Sequence, residues 1–235
     1  MVLASGSPRR RELLSGQGLT FRVIRPVFPE DLGSDAQRWM AAAEGRPGGG
    51  AGAYASATAR EKAREVARGL GVEGGPTLVL AADTVVEVDG VVLEKPADAA
   101  EAEAMLMCLS GRSHRVHTGC ALYSRGHTPD REAIWRSAFP RPASRDATPW
   151  PDATTAPGGG WAEVDAWWES TEVRFGDLDA AIVRAYAASG DPLDKAGGYG
   201  IQGPAGAFVE GVDGCYWNVV GLPLHRVCLR LAACV

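Results

Sequence analysis

The sequence predicts an α/β fold, and three kinds of segment carry this prediction. The apolar run at Met1 to Ala4 indicates a strand, and the continuous apolar run at Thr77 to Ala82 is typical of a strand buried on both faces of a sheet. Strong helix formers fill Ala55 to Leu70, where small apolar side chains recur at helical spacing. Asp89-Gly90, between two β-branched runs, indicates a hairpin. Strands that alternate with helices along the chain favour an α/β architecture.

The same patterns predict the remaining elements. Each shows helical periodicity or a β-rich apolar run bounded by turn residues: strand Phe21–Ile24, helix Ala97–Leu109, strand Ser113–Tyr123, strand Ser170–Phe175, a helix from about Asp177 to Ser189 and a terminal helix Pro223–Ala233. The glycine-rich stretch Arg46 to Ala53 is interpreted as an exposed connection. Phe208 to Gly221 is interpreted as a hairpin.

Residues 1–235 are predicted to form a single domain that contains one inserted loop, residues 124–168. This segment is rich in Pro, Gly, Ser, Thr and Trp and shows no regular periodicity. A loop of this length without structure of its own is uncommon in a compact domain. We therefore expect a disordered segment, a partner-binding arm or a lineage-specific insertion.

Composition narrows the classes of function and the expected location. The net charge of −5 argues against a general nucleic-acid binder, which usually carries a basic surplus. The five cysteines include no CxxC pair, so we expect reduced thiols rather than disulfides or a zinc site. The sequence shows no secretory leader and no run of about 18 apolar residues. We expect a cytoplasmic protein with neither a nucleic-acid nor a membrane partner.

The turn after the first strand has the features of a phosphate site. Ser7 is a suitable N-cap and Pro8 suits the first helical position, so free backbone N–H groups would point out of a helix N-terminus. Arg9, Arg10 and Arg11 follow directly. Cations at a helix N-terminus oppose the helix dipole unless an anion lies between them. The pattern therefore favours a bound phosphate over a merely solvated basic turn, although it matches neither a Walker A loop nor GxGxxG.

Other candidate residues are weaker when taken singly. Asp83 ends a buried strand, where a carboxylate can hold Mg²⁺ or polarise water, although such an aspartate is as often a cap. Glu30 and Asp31 could complete a magnesium site or form an exposed acidic turn. Lys62 by itself resembles a solvated helix residue, whereas Lys95 beside Pro96 is held more rigidly.

The glycine-rich stretch near the C-terminus and the histidines complete the set of candidates. Lys195 and Gln202 flank the glycine-rich stretch and could contact a phosphate and a base edge, although a plain turn could also carry both. His114 and His117 are interpreted as strand residues rather than metal ligands, because no carboxylate or cysteine lies at a metal-site spacing.

Eight colinear segments together resemble the Maf family of nucleoside triphosphate pyrophosphatases. They span almost the whole chain in the family's order: LASGSPRRREL, AREKA, AADTVV, LEKPADAAEA, LSGRSHRVHTG, STEVRF, DKAGGYGIQG and NVVGLPL. The chain departs from the usual pattern in having LEKP rather than LGKP and in the length of the 124–168 segment, which exceeds the family's usual length by about thirty residues.

The resemblance implies an α/β fold with a mixed twisted sheet, flanking helices and two lobes around a cleft. It implies hydrolysis of a nucleoside triphosphate to the monophosphate and pyrophosphate with Mg²⁺ or Mn²⁺, commonly by a homodimer. Ser5, Arg9 and Arg10 would hold the triphosphate, and Lys62 and Lys95 would add positive charge. Asp83 would act as the general base or as a metal ligand, the latter with Glu30.

Two motif variants concern the choice of base. ADT at Asp83-Thr84 and IQG at Gln202 resemble the branch that acts on dTTP and UTP rather than the branch that prefers 7-methyl-GTP. Thr84 and Gln202, with Arg9 or Arg10, would then select the base. The expected role is the removal of unwanted pyrimidine nucleotides from the pool. The alternatives are a nucleotide-binding regulator of septum formation and cell division, and a pyrophosphatase of the ITP/XTP type.

Overall fold

The structure is a computed structural model that describes residues 1–27, 49–70, 77–125, 160–232 and 234. Its strands within these ranges are β1 (Val2–Ala4), β2 (Arg22–Ile24), β3 (Leu78–Val88), β4 (Val91–Leu93), β5 (Ser113–Arg125), β6 (Trp161–Phe175) and β7 (Val209–Asp213). Its α-helices there are α1 (Pro8–Gly16), α2 (Gly49–Gly69), α3 (Ala99–Leu109), α4 (Ala180–Ala188), α5 (Tyr216–Val220) and α6 (Leu224–Ala232). Three short 3₁₀ turns lie at Asp191–Asp194, Ala196–Gly198 and Pro204–Phe208.

Within the described ranges the strands form one mixed sheet in the order β2-β1-β3-β5-β6-β7, with β4 paired to β3. The first strand runs parallel to both of its neighbours, whereas β3, β5, β6 and β7 pair antiparallel. The predicted α/β fold with a mixed sheet and flanking helices is therefore confirmed. Among the described helices, none combines the length and apolar character needed to cross a bilayer.

Two apolar clusters share one face of the sheet and leave a gap between them. The first packs Leu13 and Leu14 of α1 and the α6 side chains onto the β3–β5 row that pairs Leu80 with Leu122. The second packs α3 and α4 onto the row that pairs Val86 with Val116. The next row toward the second cluster, Ala82 with Cys120, still belongs to the first cluster, and the row after it consists of the polar pair Thr84 and Thr118. This gap is the cleft of the two-lobed arrangement.

Helix α2 covers the opposite face, and it begins earlier than the sequence predicts. Gly49 to Ala53 belong to the helix, so the predicted exposed connection across Arg46 to Ala53 is wrong for these residues. Tertiary packing overrides the low helix propensity of glycine there. A Cβ at Gly52 would lie 2.3 Å from Trp168 Cδ1, and one at Gly119 would lie 2.2 Å from the Ala55 backbone. The small residues allow the helix to lie directly against the sheet.

The predicted inserted loop is shorter than expected at its C-terminal end. Trp161 to Trp168 belong to β6, which pairs with β5 as far as Trp161 opposite Arg125. Trp161 is fully buried, and Trp167 packs into the cluster beside α6. These tryptophans are core residues of a strand rather than parts of an interaction arm. Residues 126–159 lie outside the described part of the chain.

The C-terminal segment also differs from its prediction. Val209–Asp213 is a strand as expected, but Tyr216–Val220 forms helix α5 instead of the second strand of a hairpin. The Asn218 side chain anchors this helix to β5 and β6, since it donates to the Val116 carbonyl oxygen (2.9 Å) and to Thr171 Oγ1 (2.9 Å) in the buried interior. The positions of α1, α3, α4, α6 and the β3–β4 hairpin agree with the sequence to within a few residues.

Candidate active site

The cleft opens where β1 ends and between the two apolar clusters. All of the predicted site residues that the structure describes line it: Ser5, Arg9, Arg10, Lys62, Asp83, Thr84, Lys95 and Gln202. Lys195 lines it as well. Glu30 and its neighbour Asp31 lie outside the described residues. Six cationic and two anionic side chains are among the described lining residues, so the cleft is locally positive in a chain whose net charge is −5.

Helix α1 points its N-terminus at the cleft, as the sequence predicts. Ser7 is the N-cap, with its side chain accepting from the Arg10 N–H (3.4 Å), and Pro8 begins the helix. Ser5 is buried, and its Oγ accepts from the Ser7 N–H (3.1 Å), which holds the turn closed. The first turn of α1 contains no acidic side chain. The Arg9 N–H takes no part in these cap bonds, and together with the helix dipole it favours an external anion.

The Arg10 guanidinium bridges three separate segments of the chain. Its Nε donates to the Gly221 carbonyl oxygen (2.8 Å), Nη1 to the Ala82 carbonyl oxygen (2.8 Å) and Nη2 to Thr84 Oγ1 (2.8 Å). Only an arginine provides this planar set of donors. Arg10 thus fixes the position of Thr84 and of the turn before α6. Its predicted contact with the triphosphate remains a prediction.

Lys62 and Asp83 form an ion pair at the edge of the cleft. The Lys62 Nζ lies 2.8 Å from Asp83 Oδ1, with exposed side-chain fractions of 5% and 13%. Helix α2 supplies the lysine and β3 the aspartate, so the contact between helix and sheet fixes the distance. Burial of a charged side chain has an unfavourable desolvation free energy unless an opposite charge lies beside it. Lys62 is therefore a buried partner of Asp83 rather than a solvated helix residue.

A chain of polar contacts connects the floor of the cleft to α5. Thr84 Oγ1 lies 2.9 Å from Thr118 Oγ1, which donates to the Asn218 carbonyl oxygen (2.9 Å). Thr118 and Asn218 are completely buried. Because each hydroxyl both donates and accepts, the network satisfies polar groups that burial would otherwise penalise. The hydroxyl of Thr84 is therefore held in one orientation toward the cleft.

The glycine-rich stretch brings a second ionic network to the mouth of the cleft. Lys195 Nζ donates to Asp194 Oδ1 (2.7 Å), to Asp191 Oδ1 (3.0 Å) and to the Asp191 carbonyl oxygen. Arg9 Nη1 lies 3.5 Å from Asp194 Oδ2. Partial burial opposes ionisation of Asp194, but the Lys195 hydrogen bond and the Arg9 charge outweigh it and lower the pKa of this carboxyl. Two cations of the cleft thus face a carboxylate of the protein itself.

Two histidines lie in strand β5, as predicted, and the structure shows that both are buried. His114 Nε2 lies 2.8 Å from the Tyr199 hydroxyl, and Tyr199 lines the cleft. Burial lowers the pKa of His114 to about 4 and raises the pKa of Tyr199. Burial likewise lowers the pKa of His117, whose Nδ1 lies 2.8 Å from Ser170 Oγ. Both imidazoles are neutral at neutral pH.

Sequence reasoning did not single out three residues that the structure places at or beside the cleft. Arg25 and Asp194 line it, and Asn218 anchors its floor. The signals for Arg25 and Asp194 were weak, because a single charge in a loop is usually solvated. An asparagine in an apolar run, as Asn218 is in YWNVVG, was the more informative signal, since such a residue requires buried partners.

Comparison with known proteins gives consistent matches over nearly the whole chain. A family model described as Maf-like protein matches residues 1–139 and 156–234. The dTTP/UTP pyrophosphatase of Clostridium perfringens (strain 13) is 36% identical over 97% of this chain and 93% of its own length. That of Bordetella parapertussis is 40% identical over 98% of this chain and 90% of its own length.

A human protein named as a probable bifunctional dTTP/UTP pyrophosphatase/methyltransferase is 39% identical over 98% of this chain. The match covers 31% of the human protein. The chain thus spans about a third of this relative and nearly all of the two bacterial ones.

Proposed function

Because the chain belongs to the Maf family, we propose that it hydrolyses dTTP and UTP to the monophosphates and pyrophosphate. The observation that carries the proposal is the Lys62–Asp83 pair at the edge of a cation-lined cleft. The names of the two bacterial relatives, which match almost their full length, support the substrates. The expected role is control of the pyrimidine nucleotide pool.

The N-terminus of α1 and the cations around it would bind the triphosphate. The Arg9 backbone N–H at the start of α1 would donate a hydrogen bond to a phosphate oxygen, with the side chains of Ser5, Arg9 and Lys95 beside it. Catalysis of phosphoryl transfer consists mainly of positioning and of compensating charge on oxygen atoms. The surplus of cations over carboxylates in the cleft supports this use.

Asp83 would act as the general base. Its Oδ1 accepts a hydrogen bond from Lys62 Nζ (2.8 Å), which orients the carboxylate. In the reaction, Asp83 takes a proton from water as the water oxygen bonds to the α-phosphorus. The bond from that phosphorus to the α–β bridging oxygen breaks, and pyrophosphate leaves with the bonding electrons. Water and the nucleotide are the only reactants.

Asp83 also fits a divalent cation. Mg²⁺ in phosphate-processing sites is commonly held by one or two carboxylates together with substrate phosphates, and it retains several waters. No cluster of three potential ligands occurs among the described residues. Asp83 would hold Mg²⁺ or Mn²⁺, with Glu30 as the second protein ligand. When bound, the ion would neutralise charge on the phosphate oxygens.

Thr84 and Gln202 would contact the pyrimidine base. The hydroxyl of Thr84 is fixed by Arg10 and Thr118, which suits a site that distinguishes substrates by hydrogen bonding. Gln202 is exposed at the mouth of the cleft, where its amide can both donate and accept. A homodimeric cytoplasmic enzyme without nucleic-acid or membrane partners completes the proposal, and sedimentation analysis tests the dimer.

A nucleotide panel tests the proposed function. Pyrophosphate release with Mg²⁺ is measured for dTTP, UTP, ITP, 7-methyl-GTP and ATP. We expect dTTP and UTP to give the highest kcat/KM. A preference for ITP would indicate a deaminated-purine pyrophosphatase instead. Tight nucleotide binding without turnover would favour a regulatory protein.

A further inference from the structure

Arg25 lies at the same edge of the sheet as the phosphate-binding turn. Strand β1 pairs in parallel with β2 and β3, with Ala4 opposite both Ile24 and Ala81. The residues that follow these three positions, Ser5, Arg25 and Ala82, therefore lie side by side at the same end of the three strands. Ligands of open α/β sheets bind outside the carboxyl ends of parallel strands. Arg25 lines the cleft there with its neighbour Pro26.

The backbone around Arg25 is anchored on both sides. Before it, β2 pairs with β1 up to Ile24. After it, Pro26 restricts Arg25 to an extended conformation, and the Val27 N–H donates to Glu65 Oε1 on α2 (3.1 Å). Glu65 lies one helical turn beyond Lys62, the partner of Asp83. Backbone hydrogen bonds on both sides of Arg25 therefore fix the position of its Cα atom.

The Arg25 side chain lies across the phosphate-binding turn. A Cβ at Gly6 would lie 3.1 Å from Arg25 Nε and 3.3 Å from its Cδ. Gly6 therefore leaves just enough space for the arginine to pass over the turn between Ser5 and Ser7. This places a guanidinium directly beside the N-terminus of α1.

Arg25 also differs from other cations of the cleft in its partners. Arg9 faces Asp194, Lys62 pairs with Asp83, and Lys195 is bound by two aspartates. In the part of the chain that the structure describes, no acceptor lies within hydrogen-bonding distance of the Arg25 guanidinium. An exposed arginine on a polyanion site without a carboxylate beside it retains its full positive potential for a ligand. Its planar donors match phosphate oxygens.

We propose that Arg25 is a further substrate-binding residue, which donates hydrogen bonds to the triphosphate from the β2 side of the cleft. This inference rests on the proposed function, because a triphosphate must occupy the cleft. With Arg9 on α1, Arg25 would hold the phosphate chain from two sides. Arg25 would have a binding role only, because it takes no part in the attack of water or in the proton transfer.

Substitution of Arg25 tests the proposal. KM and kcat for dTTP are measured in wild type and in Arg25→Gln, Arg25→Lys and Arg22→Gln. We expect Arg25→Gln to raise KM about tenfold, as for the loss of one charged hydrogen bond, with little change in kcat. The KM of Arg25→Lys should lie between those of wild type and Arg25→Gln, because lysine keeps the charge but lacks the planar donors. Arg22 is exposed on the same strand and does not line the cleft, so Arg22→Gln should match wild type.

Equilibrium binding of dTTP, measured in parallel at several salt concentrations, separates this inference from the proposed function. We expect weaker binding and a smaller salt dependence for Arg25→Gln. Wild-type affinity in Arg25→Gln, or an equal loss in Arg22→Gln, would overturn the role of Arg25. Absence of turnover in wild type would overturn the proposed function instead, and the binding comparison would still decide on Arg25. Thermal melting of each variant confirms its fold.

Discussion

At the scale of single residues, Asp83 has the most demanding chemical role, because it is the proposed general base. We expect Asp83→Asn to lower kcat for dTTP by roughly 10²- to 10⁴-fold, because the amide cannot accept the proton from water. The shape of the side chain is retained, but Lys62 loses its buried ionic partner, so we expect a cooperative thermal transition at a lower temperature than in wild type. Asp213→Asn is the matched control, since Asp213 is exposed on β7 and does not line the cleft. Near-normal turnover in Asp83→Asn would remove this residue from its role.

Asp194 gives a second prediction at the scale of single residues. Its substitution should improve substrate binding, whereas substitution of Asp83 should impair turnover. The Asp194 carboxylate faces Arg9 and Lys195, and the substrate must compete with it for these cations. We expect Asp194→Asn to lower KM for dTTP severalfold, because more of the cationic charge then acts on the phosphates. Glu210→Gln, which removes an exposed carboxylate paired with Arg174 on β6, is the control. A raised KM in Asp194→Asn would show that the carboxylate assists binding.

At the scale of elements, the close contact between α2 and the sheet sets the distance from Lys62 to Asp83. Gly119→Ala should destabilise the fold by several kcal/mol, because the added methyl would meet the backbone of α2. Gly16→Ala in α1 is the matched control, since nothing lies within 4 Å of its added Cβ. That variant should be neutral or slightly stabilising. Urea unfolding measures both, and equal effects would contradict the packing argument.

The elements also show where the sequence was informative. Local signals predicted the Ser7 cap and the Asp89-Gly90 turn, because a few neighbouring residues determine each of them. The start of α2 and the N-terminal half of β6 depend on distant contacts instead. Gly52 is helical because Trp168 lies against it, and no pattern within residues 46–53 contains that information.

For the site, the sequence motifs and the structure converge on one set of residues. The motifs named Ser5, Lys62, Asp83, Lys95 and Gln202, and all of them line one cleft. What the motifs could not provide was pairing, such as the bonds that tie Arg10 to Gly221 across 211 residues. A charged residue in a loop, such as Arg25, can be assigned to the cleft only when the pairing register of the sheet is known. The roles of all these residues remain predictions.

At the scale of the whole molecule, buried histidines make the stability of the fold depend on pH. Burial lowers the pKa of His114 to about 4, whereas an exposed histidine titrates near pH 6.5. Between these values the unfolded chain binds more protons than the folded one, so stability falls as the pH decreases from 6.5 to 4. We expect His114 to account for about 2 kcal/mol of this loss between pH 7 and pH 5.

Urea unfolding at several pH values checks this expectation. The free energy of unfolding of His114→Asn should depend less steeply on pH than that of wild type between pH 7 and pH 5. A residual slope is expected, because burial also lowers the pKa of His117. An unchanged slope in the variant would contradict the assignment to His114.

In the proposed mechanism, a cation-lined cleft with the Asp83 carboxylate at its edge directs water to the triphosphate of a pyrimidine nucleotide. Identification of the products formed from dTTP in Mg²⁺ tests this claim most directly. We predict dTMP and pyrophosphate in equal amounts, formed by wild type and almost absent with Asp83→Asn. Formation of dTDP and inorganic phosphate, or no product at all, would contradict it.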